Sequence, residues 1–530
     1  MEEPRWVPRH NPWLIAVVVS MATFMEVLDT SVANVALPHI AGSLGASQDE
    51  STWVLTSYLV SNAVVLPIAS YISTLIGRKR FYMSCVALFG VSSLLCGLAP
   101  SLPMLLFFRV LQGAGGGGLG PSEQSILADT FPPEKRGQAF ALYGMAVILA
   151  PTIGPTVGGW ITDNFDWRWI FFINLPVVLL SLFLTHKLVE DPPTIQKEVQ
   201  EARHGNFRVD YIGFGLLALV FGTLEVVLDK GQQDDWFGSS FITAFAAISF
   251  VSFIAVILWE LRLARRKQRP ILDLGLFTNR TFTLSVVLMF VLGAALYAIN
   301  TLVPQLLQNL MGYTAEQSGI ALASGGFATL VCMPLVGALS GKVDPRKLVA
   351  FGFAVSAAGL FYMSGLNLEM SMGHASLMKF FQSLGIGFLF VPISTMSYVG
   401  VPADKNNDVS GMINLARNIG GSCGTAFLTT VLARHQQVHQ HALIRNTANG
   451  NVFYTNKLST MTQQHMASGS SGTIAHQQAL QQIYQQVQQQ ASVLSYIDIV
   501  YFFAVVCLCM VPVAFLMKKN TGTGKEVVMH

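Results

Sequence analysis

The chain of 530 residues is 52% hydrophobic and 12% charged, about half the charged fraction of an ordinary soluble domain. That composition excludes a soluble globular fold and predicts an all-α polytopic membrane protein. The formal net charge of +3 says little as a total, because in membranes the distribution of Lys and Arg among loops carries the information.

Windows of about 20 apolar residues give about fourteen spans, the first near 12–35 and the last near 494–517. No small-residue cleavage site follows the first run, so it reads as a retained helix and not a signal peptide. The six cysteines all fall in apolar segments, which predicts no disulfide framework. Basic residues collect at every second loop: Arg78 to Arg80, Lys135-Arg136, Lys187 to Arg208, Arg262 to Arg269 with Arg280, Lys342 to Lys347, Lys405, and Lys518-Lys519. Intervening loops are acidic or neutral, so both termini are expected in the cytoplasm.

The first span carries two carboxylates, Glu26 and Asp29, on one helical face, with Thr30 and Asn34 extending the stripe. Low dielectric penalises the charged form of an intramembrane acid, and those that persist face a cavity, find a partner or carry protons. Like-charge repulsion one turn apart can also hold a single proton on such a pair. The plain structural alternative is a pair of acids solvated or bridged at a helix end.

The second and third spans are joined by Gly77-Arg78-Lys79-Arg80, and a related turn, Gly341 to Lys347, joins the tenth and eleventh. Repetition of this turn predicts two homologous six-helix bundles around a central cavity, with two extra helices between them. The divisions are residues 1–188, a linker and inserted pair over 189–270, and 271–530, which includes an outer loop over 434–492.

Arg109 lies in the fourth span, followed by a run of glycines. Gly113, Gly115 and Gly118 match a dinucleotide fingerprint in form only, since no strand precedes them, and close helix packing explains them better. A guanidinium keeps its charge and needs an anion, carbonyls or water at that depth. The first-helix acids, or Glu123 farther along, are candidate partners; snorkelling to the helix end is the alternative. In the fifth span Pro151 and Pro155 predict a kink, while Gly154, Gly158 and Gly159 form a small-residue face suited to a moving interface between the bundles. A static kink is the alternative.

Glu225 and Asp229 belong to the inserted pair, and Glu225 reads as packing or lining. Tyr297, Asn300, Gln305 and Gln308 stripe the ninth span, and Asn414, Arg417 and Asn418 the thirteenth. Such side chains line a cavity or hold helices together. The outer loop is rich in Gln and His, and Gln477 to Gln490 is good helix-forming material for an outward extension of the last span. His435, His439 and His441 make a potential metal-binding face, but with no acid or cysteine nearby in sequence they read as a solvated helix, and no metal is expected.

Together, Leu28 to Pro38, Arg109 to Gly113, Gly154-Pro155 with Gly158-Gly159, and Trp167 to Pro176 resemble the fourteen-helix drug:proton antiporter family of the major facilitator superfamily, and within it the EmrB-type efflux subunits. The likeness extends over nearly the whole chain. It implies proton-coupled efflux of hydrophobic or amphipathic drugs, a bacterial inner-membrane location, and partnership with an EmrA-type periplasmic adaptor and an outer-membrane channel. No cofactor is implied beyond the proton gradient. The expected proton-coupling residues are Asp29, Glu26 and Arg109; the expected cavity residues are Glu123, Tyr297, Asn300, Gln305, Asn414 and Arg417. One departure stands out: the family's loop acid is replaced by Thr74, which puts a charge-relay role for that loop in doubt. An exporter of an endogenous metabolite or siderophore is the alternative. A membrane enzyme would need a nucleophile with its base or a metal cluster, and a channel would need a filter; neither pattern is present.

Overall fold

The computed structural model describes residues 6–204, 210–266, 270–402, 405–447 and 451–518, and no strand occurs among them. Arg208, part of the Arg262 to Arg269 linker (267–269) and Lys519 lie outside the described residues. The first group of helices is α1 (Pro12–Leu44), α2 (Gln48–Val65), α3 (Ala69–Ile76), α4 (Arg78–Gly97), α5 (Leu102–Gly117), α6 (Leu119–Thr130), α7 (Pro133–Asn164), α8 (Trp169–Phe172) and α9 (Asn174–Leu188). Next come α10 (Pro193–His204), α11 (Tyr211–Lys230) and α12 (Ser240–Arg265). The last group is α13 (Arg280–Gln305), α14 (Ala315–Leu339), α15 (Pro345–Met363), α16 (Met372–Ser397), α17 (Asn406–Ile444), α18 (Val452–Ala467) and α19 (Gly472–Ala514).

Eleven described helical segments are long and apolar enough to cross a membrane, or twelve when α2 and α3, bent by 58°, count as one. Two further elements bring the reading to about fourteen only by packing, since hydropathy misses them. One is α5 with α6, broken near Gly118, and the other is α17. Both carry buried polar side chains, Arg109, Gln112, Glu123 and Gln124 on the first and Asn406, Asn407, Asn414 and Arg417 on the second. A span whose polar face is covered by protein need not be greasy all round.

The two groups pack in the same order. Helix α1 lies against α7 as α13 lies against α17; α2 meets α5 as α14 meets α16; and α4 meets α5 and α9 as α15 meets α16 and α19. Between the groups, α7 and α14 run antiparallel along their whole length. A Cβ on Gly337 would sit 3.0 Å from Gln138 Cα, one on Gly144 2.8 Å from Met333 Cε, and one on Gly326 2.9 Å from Thr152 Cγ2. The opposite seam differs. There α17 touches α3 and α6 through Asn407 to Ser73 (2.9 Å), Asn406 to Asp129 (3.0 Å) and Ser125 with Ser410 (2.6 Å), all near the basic turns.

Helix α11 closes the side of that second seam. Its Glu225 accepts from Ser422 of α17 at 2.7 Å, Asp229 accepts from Thr56 of α2, and Lys230 donates to Thr52. Glu225 is thus a packing residue, tying the inserted pair to the last group of helices. Beyond the bilayer, α17 and α19 continue as an extension on which α18 docks through Met461, Ala479 and Ile483. The extension of the last span over Gln477 to Gln490 is present as part of one unbroken helix, α19. A cleft of about 840 Å³ runs beneath it, bordered by Leu366, Glu369, Leu443, Lys457, Ile483 and Val493.

Candidate functional site

An enclosed polar cluster surrounds Asp29, which is 3% exposed. Arg109, fully buried on α5, donates from Nη1 to Asp29 Oδ2 at 2.6 Å and to Gln112 Oε1 at 2.7 Å. Gln112, one turn along from Arg109, donates to Asp29 Oδ1 at 3.0 Å, and Asn174 at the start of α9 donates to the same oxygen at 2.7 Å. Asn174 also donates to Ser93 of α4 at 3.0 Å, and Arg109 Nε reaches the Val54 carbonyl at 3.0 Å. The guanidinium carbon lies 4.4 Å from the Tyr58 ring centroid and 5.6 Å from that of Phe171, so its faces are covered by aromatic rings. Such a pair is held in place by what surrounds it: removing either charge strands the other in low dielectric.

Glu26 belongs to a second, partly exposed cluster. Its Oε1 accepts from Tyr58 Oη at 2.9 Å and from Asn62 Nδ2 at 3.1 Å. The expectation that Glu26 and Asp29 share Arg109 is therefore corrected, since Asp29 takes Arg109 and Glu26 turns to α2. One turn of helix separates the two acids along α1 but also turns Glu26 toward the seam. Tyr58 joins the clusters, with its ring on Arg109 and its hydroxyl on Glu26. The stripe ends there, because Thr30 donates back to the Val27 carbonyl at 2.8 Å and Asn34 is exposed.

From Asn62 a polar path crosses to the other group of helices. Asn418 of α17 donates to Asn62 Oδ1 at 3.5 Å, and Arg417 Nη1 donates to Tyr143 Oη on α7 at 3.2 Å. Tyr143 donates to Asn414 Oδ1 at 3.0 Å, and Asn414 donates to Gln124 of α6 at 2.9 Å. Asn414 and Arg417 are thus buried bridging groups between the two helix groups, where a cavity lining was expected. Glu123 is likewise enclosed, accepting from Ser20 of α1 at 2.5 Å, and is no partner of Arg109.

Both clusters lie within a recognised family match: the model of the Major Facilitator Superfamily matches residues 19–425. The chain belongs to this superfamily. The probable multidrug resistance protein EmrY of Escherichia coli K12 is 39% identical over 81% of this chain and 82% of its own length. The multidrug export protein EmrB of the same organism is 35% identical over 96% of each chain, which places this protein in the EmrB-type family. Among solved structures, the proton:xylose symporter XylE aligns over 97% of both chains with a TM-score of 0.58 at 14% identity, a likeness of fold.

Within this superfamily fold the small-residue face of α7 is placed differently from expectation. A Cβ on Gly154 would lie 2.5 Å from Ser31 Cβ, and one on Gly158 3.1 Å from Val32 Cα, so both glycines let α7 approach α1 inside one group of helices. The seam with α14 uses another face of α7, and Gly159 faces open space. Helix α7 is continuous through both prolines. Because Pro155 has no N–H, the Pro151 carbonyl lacks its usual helical donor, and Ser31 Oγ supplies one at 3.3 Å.

In the last group of helices, Asn300 accepts from Lys379 Nζ at 2.8 Å, and Gln382 accepts from the same amine at 2.8 Å. Lys379 is 2% exposed and escaped the sequence reading, although it is the sole charge in the α16 span. Tyr297 and Gln305 stay partly exposed, on the same helix as Asn300.

The basic turn that lost its acid at Thr74 finds others in space. Arg78 pairs with Asp129, and Asp191, beyond α9, accepts from the Lys79 N–H at 2.9 Å. Gly77 takes φ +94°, and a Cβ there would stand 2.7 Å from Asp191 Oδ2. Burial holds the Asp191 carboxyl above its ordinary range against these attractions. Finally, His435 and His439 are not without an acid: Asp498 of α19 lies 2.7 Å from both, a partner that neither sequence spacing nor helical periodicity reveals.

Proposed function

We propose that the protein exports hydrophobic or amphipathic drugs across a bacterial inner membrane, driven by protons moving inward, through alternating access. The observation that carries this reading is the donor shell of Asp29. Arg109, Gln112 and Asn174 all offer N–H groups to its two oxygens. A proton arriving on Asp29 turns an acceptor into a donor facing donors, so at least one of the three must let go. Arg109 is then released from its charge partner. The change passes through Tyr58 to Glu26, and through Asn62 to Asn418 across the seam.

With the basic turns in the cytoplasm, the bonded end of that seam is the cytoplasmic gate, and the outer end holds Glu26, Tyr297, Asn300 and Gln305 for cargo. Glu26 offers a carboxylate to a cationic drug. The membrane potential contributes about 2.3 kcal/mol per proton per 100 mV, about a fortyfold bias. Relatives named for multidrug export favour drugs over an endogenous metabolite or siderophore as cargo. Nothing in this reading calls on an enzymatic step.

Asp29→Asn should abolish pH-gradient-driven drug efflux in reconstituted vesicles holding equal protein, while leaving binding of neutral ligands. Gradient-driven efflux at the wild-type rate would remove Asp29 as the proton carrier. An EmrA-type adaptor and outer-membrane channel are the natural partners for the outer extension. At 1.5 Å per residue α19 reaches roughly 64 Å against a hydrocarbon core of about 30 Å. Deleting residues 463–490 should spare transport in vesicles and weaken resistance in cells; lost vesicle transport by a folded deletion would refute the docking role.

A further inference from the structure

The outer segment from residue 434 to residue 497 contains no Asp or Glu, yet the first acid after it, Asp498, stands directly against two of its histidines. His435 and His439 are four residues apart on α17, so both rings leave the same helical face. Asp498 enters from α19. His435 Nδ1 and His439 Nε2 each lie 2.7 Å from the same oxygen, Asp498 Oδ2. The three potential ligand atoms fall within 4.8 Å of one another, and the imidazole centroids are 6.1 Å apart. The side chains are 47%, 26% and 37% exposed, which leaves an entry path from water.

This donor set has a chemical preference. Two imidazoles with one carboxylate suit zinc and its neighbours copper and nickel, whereas calcium and magnesium require mostly oxygen. Metal bonds of about 2.0–2.2 Å place tetrahedral ligand atoms roughly 3.3 Å apart, so modest separation of the three atoms admits an ion. Three protein ligands leave a fourth position for water. Only α18 and its short connections separate α17 from α19 in the chain, and the cluster joins the two helices where they leave the bundle for the outer extension.

We propose that His435, His439 and Asp498 bind one divalent ion of the zinc class, which fastens the outer extension of α17 to that of α19. The competing arrangement is a hydrogen-bonded clamp in which both imidazoles donate to a carboxylate without metal.

The test uses the full chain, purified in lipid nanodiscs and freed of metal with a chelator, and titrated calorimetrically with zinc chloride. One equivalent should bind. His435→Ala and Asp498→Asn should each weaken binding at least tenfold, and a His435→Ala/His439→Ala double variant should remove it, while His441→Ala and His465→Ala leave it intact. Failure of the wild type to bind a stoichiometric ion, or undiminished binding by the double variant, overturns the proposal in favour of the clamp. X-ray absorption of the zinc-loaded wild type gives a readout independent of any variant's folding. A nitrogen and oxygen shell with imidazole scattering supports the site, and a sulfur shell refutes it.

Discussion

Two buried cations occupy matching places in the two groups of helices, and they meet different chief partners, a carboxylate in one and an amide in the other. On α5, Arg109 and Gln112 are three residues apart and face Asp29 of α1; on α16, Lys379 and Gln382 are three residues apart and face Asn300 of α13. The packing order of the helices makes these equivalent positions. In one, a carboxylate answers the cation; in the other, an amide does. Among the described residues Lys379 forms no ion pair, and Asn300 and Gln382 meet its amine with neutral amide oxygens. The first site therefore pairs opposite charges, and the second holds an amine among neutral oxygens. A duplicated scaffold can thus place an ion pair in one half and an amine among amides in the other.

The strongest test of this asymmetry is to remove each cation in turn. Arg109→Met leaves Asp29 buried with its charge unanswered, a change that costs about 3–5 kcal/mol for a broken buried pair. Gradient-driven efflux should fall to background, and the folded fraction in the membrane should drop. Lys379→Met removes a charge that has no buried counter-ion and leaves two amide oxygens short of a donor, each worth about 1–3 kcal/mol at most. Part of that loss is offset because no cation remains to be desolvated. Efflux by Lys379→Met should stay within about threefold of wild type, consistent with a modest net loss. Equal inactivation of both variants, in vesicles matched for protein, would show that the carrier depends on both cations alike and that the asymmetry has no functional weight.

A second contrast lies within α7. Gly154 sits against Ser31 and Gly159 against nothing, although both belong to the same small-residue motif. Gly154→Leu should overpack the α1 contact, cost about 1–3 kcal/mol and lower the thermal midpoint in detergent. Gly159→Leu should change it little. A similar loss from both substitutions would mean that the motif acts through helix backbone properties and not through contact with α1.

The parts that were legible beforehand share a physical reason. The spans, the repeated basic turn and the buried Asp29 and Arg109 all break a strong background, either charge inside grease or cations gathered at loops. What escaped was relational. Periodicity gives Gly154 and Gly158 a common face but not its neighbour, which proved to be α1 and not the other group of helices. Lys379 was overlooked because basic residues were read as loop markers, though a lone cation within an apolar span was a usable signal. Asp498 meets its histidines 59 and 63 residues away in sequence, a separation that only the helix packing closes. Hydropathy undercounts the spans where α5, α6 and α17 turn polar faces inward.

The smallest effect concerns the two basic turns, which hold their acids in opposite ways. At Gly77 to Arg80 the acid is Asp191, half-buried, with its carboxyl held above the ordinary value of 3.8 chiefly by desolvation. At the related turn it is Asp344, whose carboxyl is held below that value chiefly by the Arg346 side chain, 2.8 Å away. Asp344 also caps α15 by accepting from the Arg346 N–H at 3.1 Å. The signs differ accordingly. A depressed carboxyl contributes stability that is present above its unfolded value and disappears as pH falls through the folded value. A raised carboxyl does the reverse: its ionisation works against the fold, and that penalty is present at neutral pH and absent in acid. Asp344→Asn should therefore destabilise at pH 7 by about 1 kcal/mol, the upper end for a partly exposed pair, and the deficit should shrink below pH 4. Asp191→Asn keeps an oxygen for the Lys79 N–H, so it should be neutral or slightly stabilising at pH 7 and lose that advantage in acid. Thermal midpoints of both variants in detergent, followed from pH 7 down to about pH 2.5, decide the matter. Parallel curves for the two substitutions would show that the turns are held alike and that the contrast between the halves stops at the buried cations.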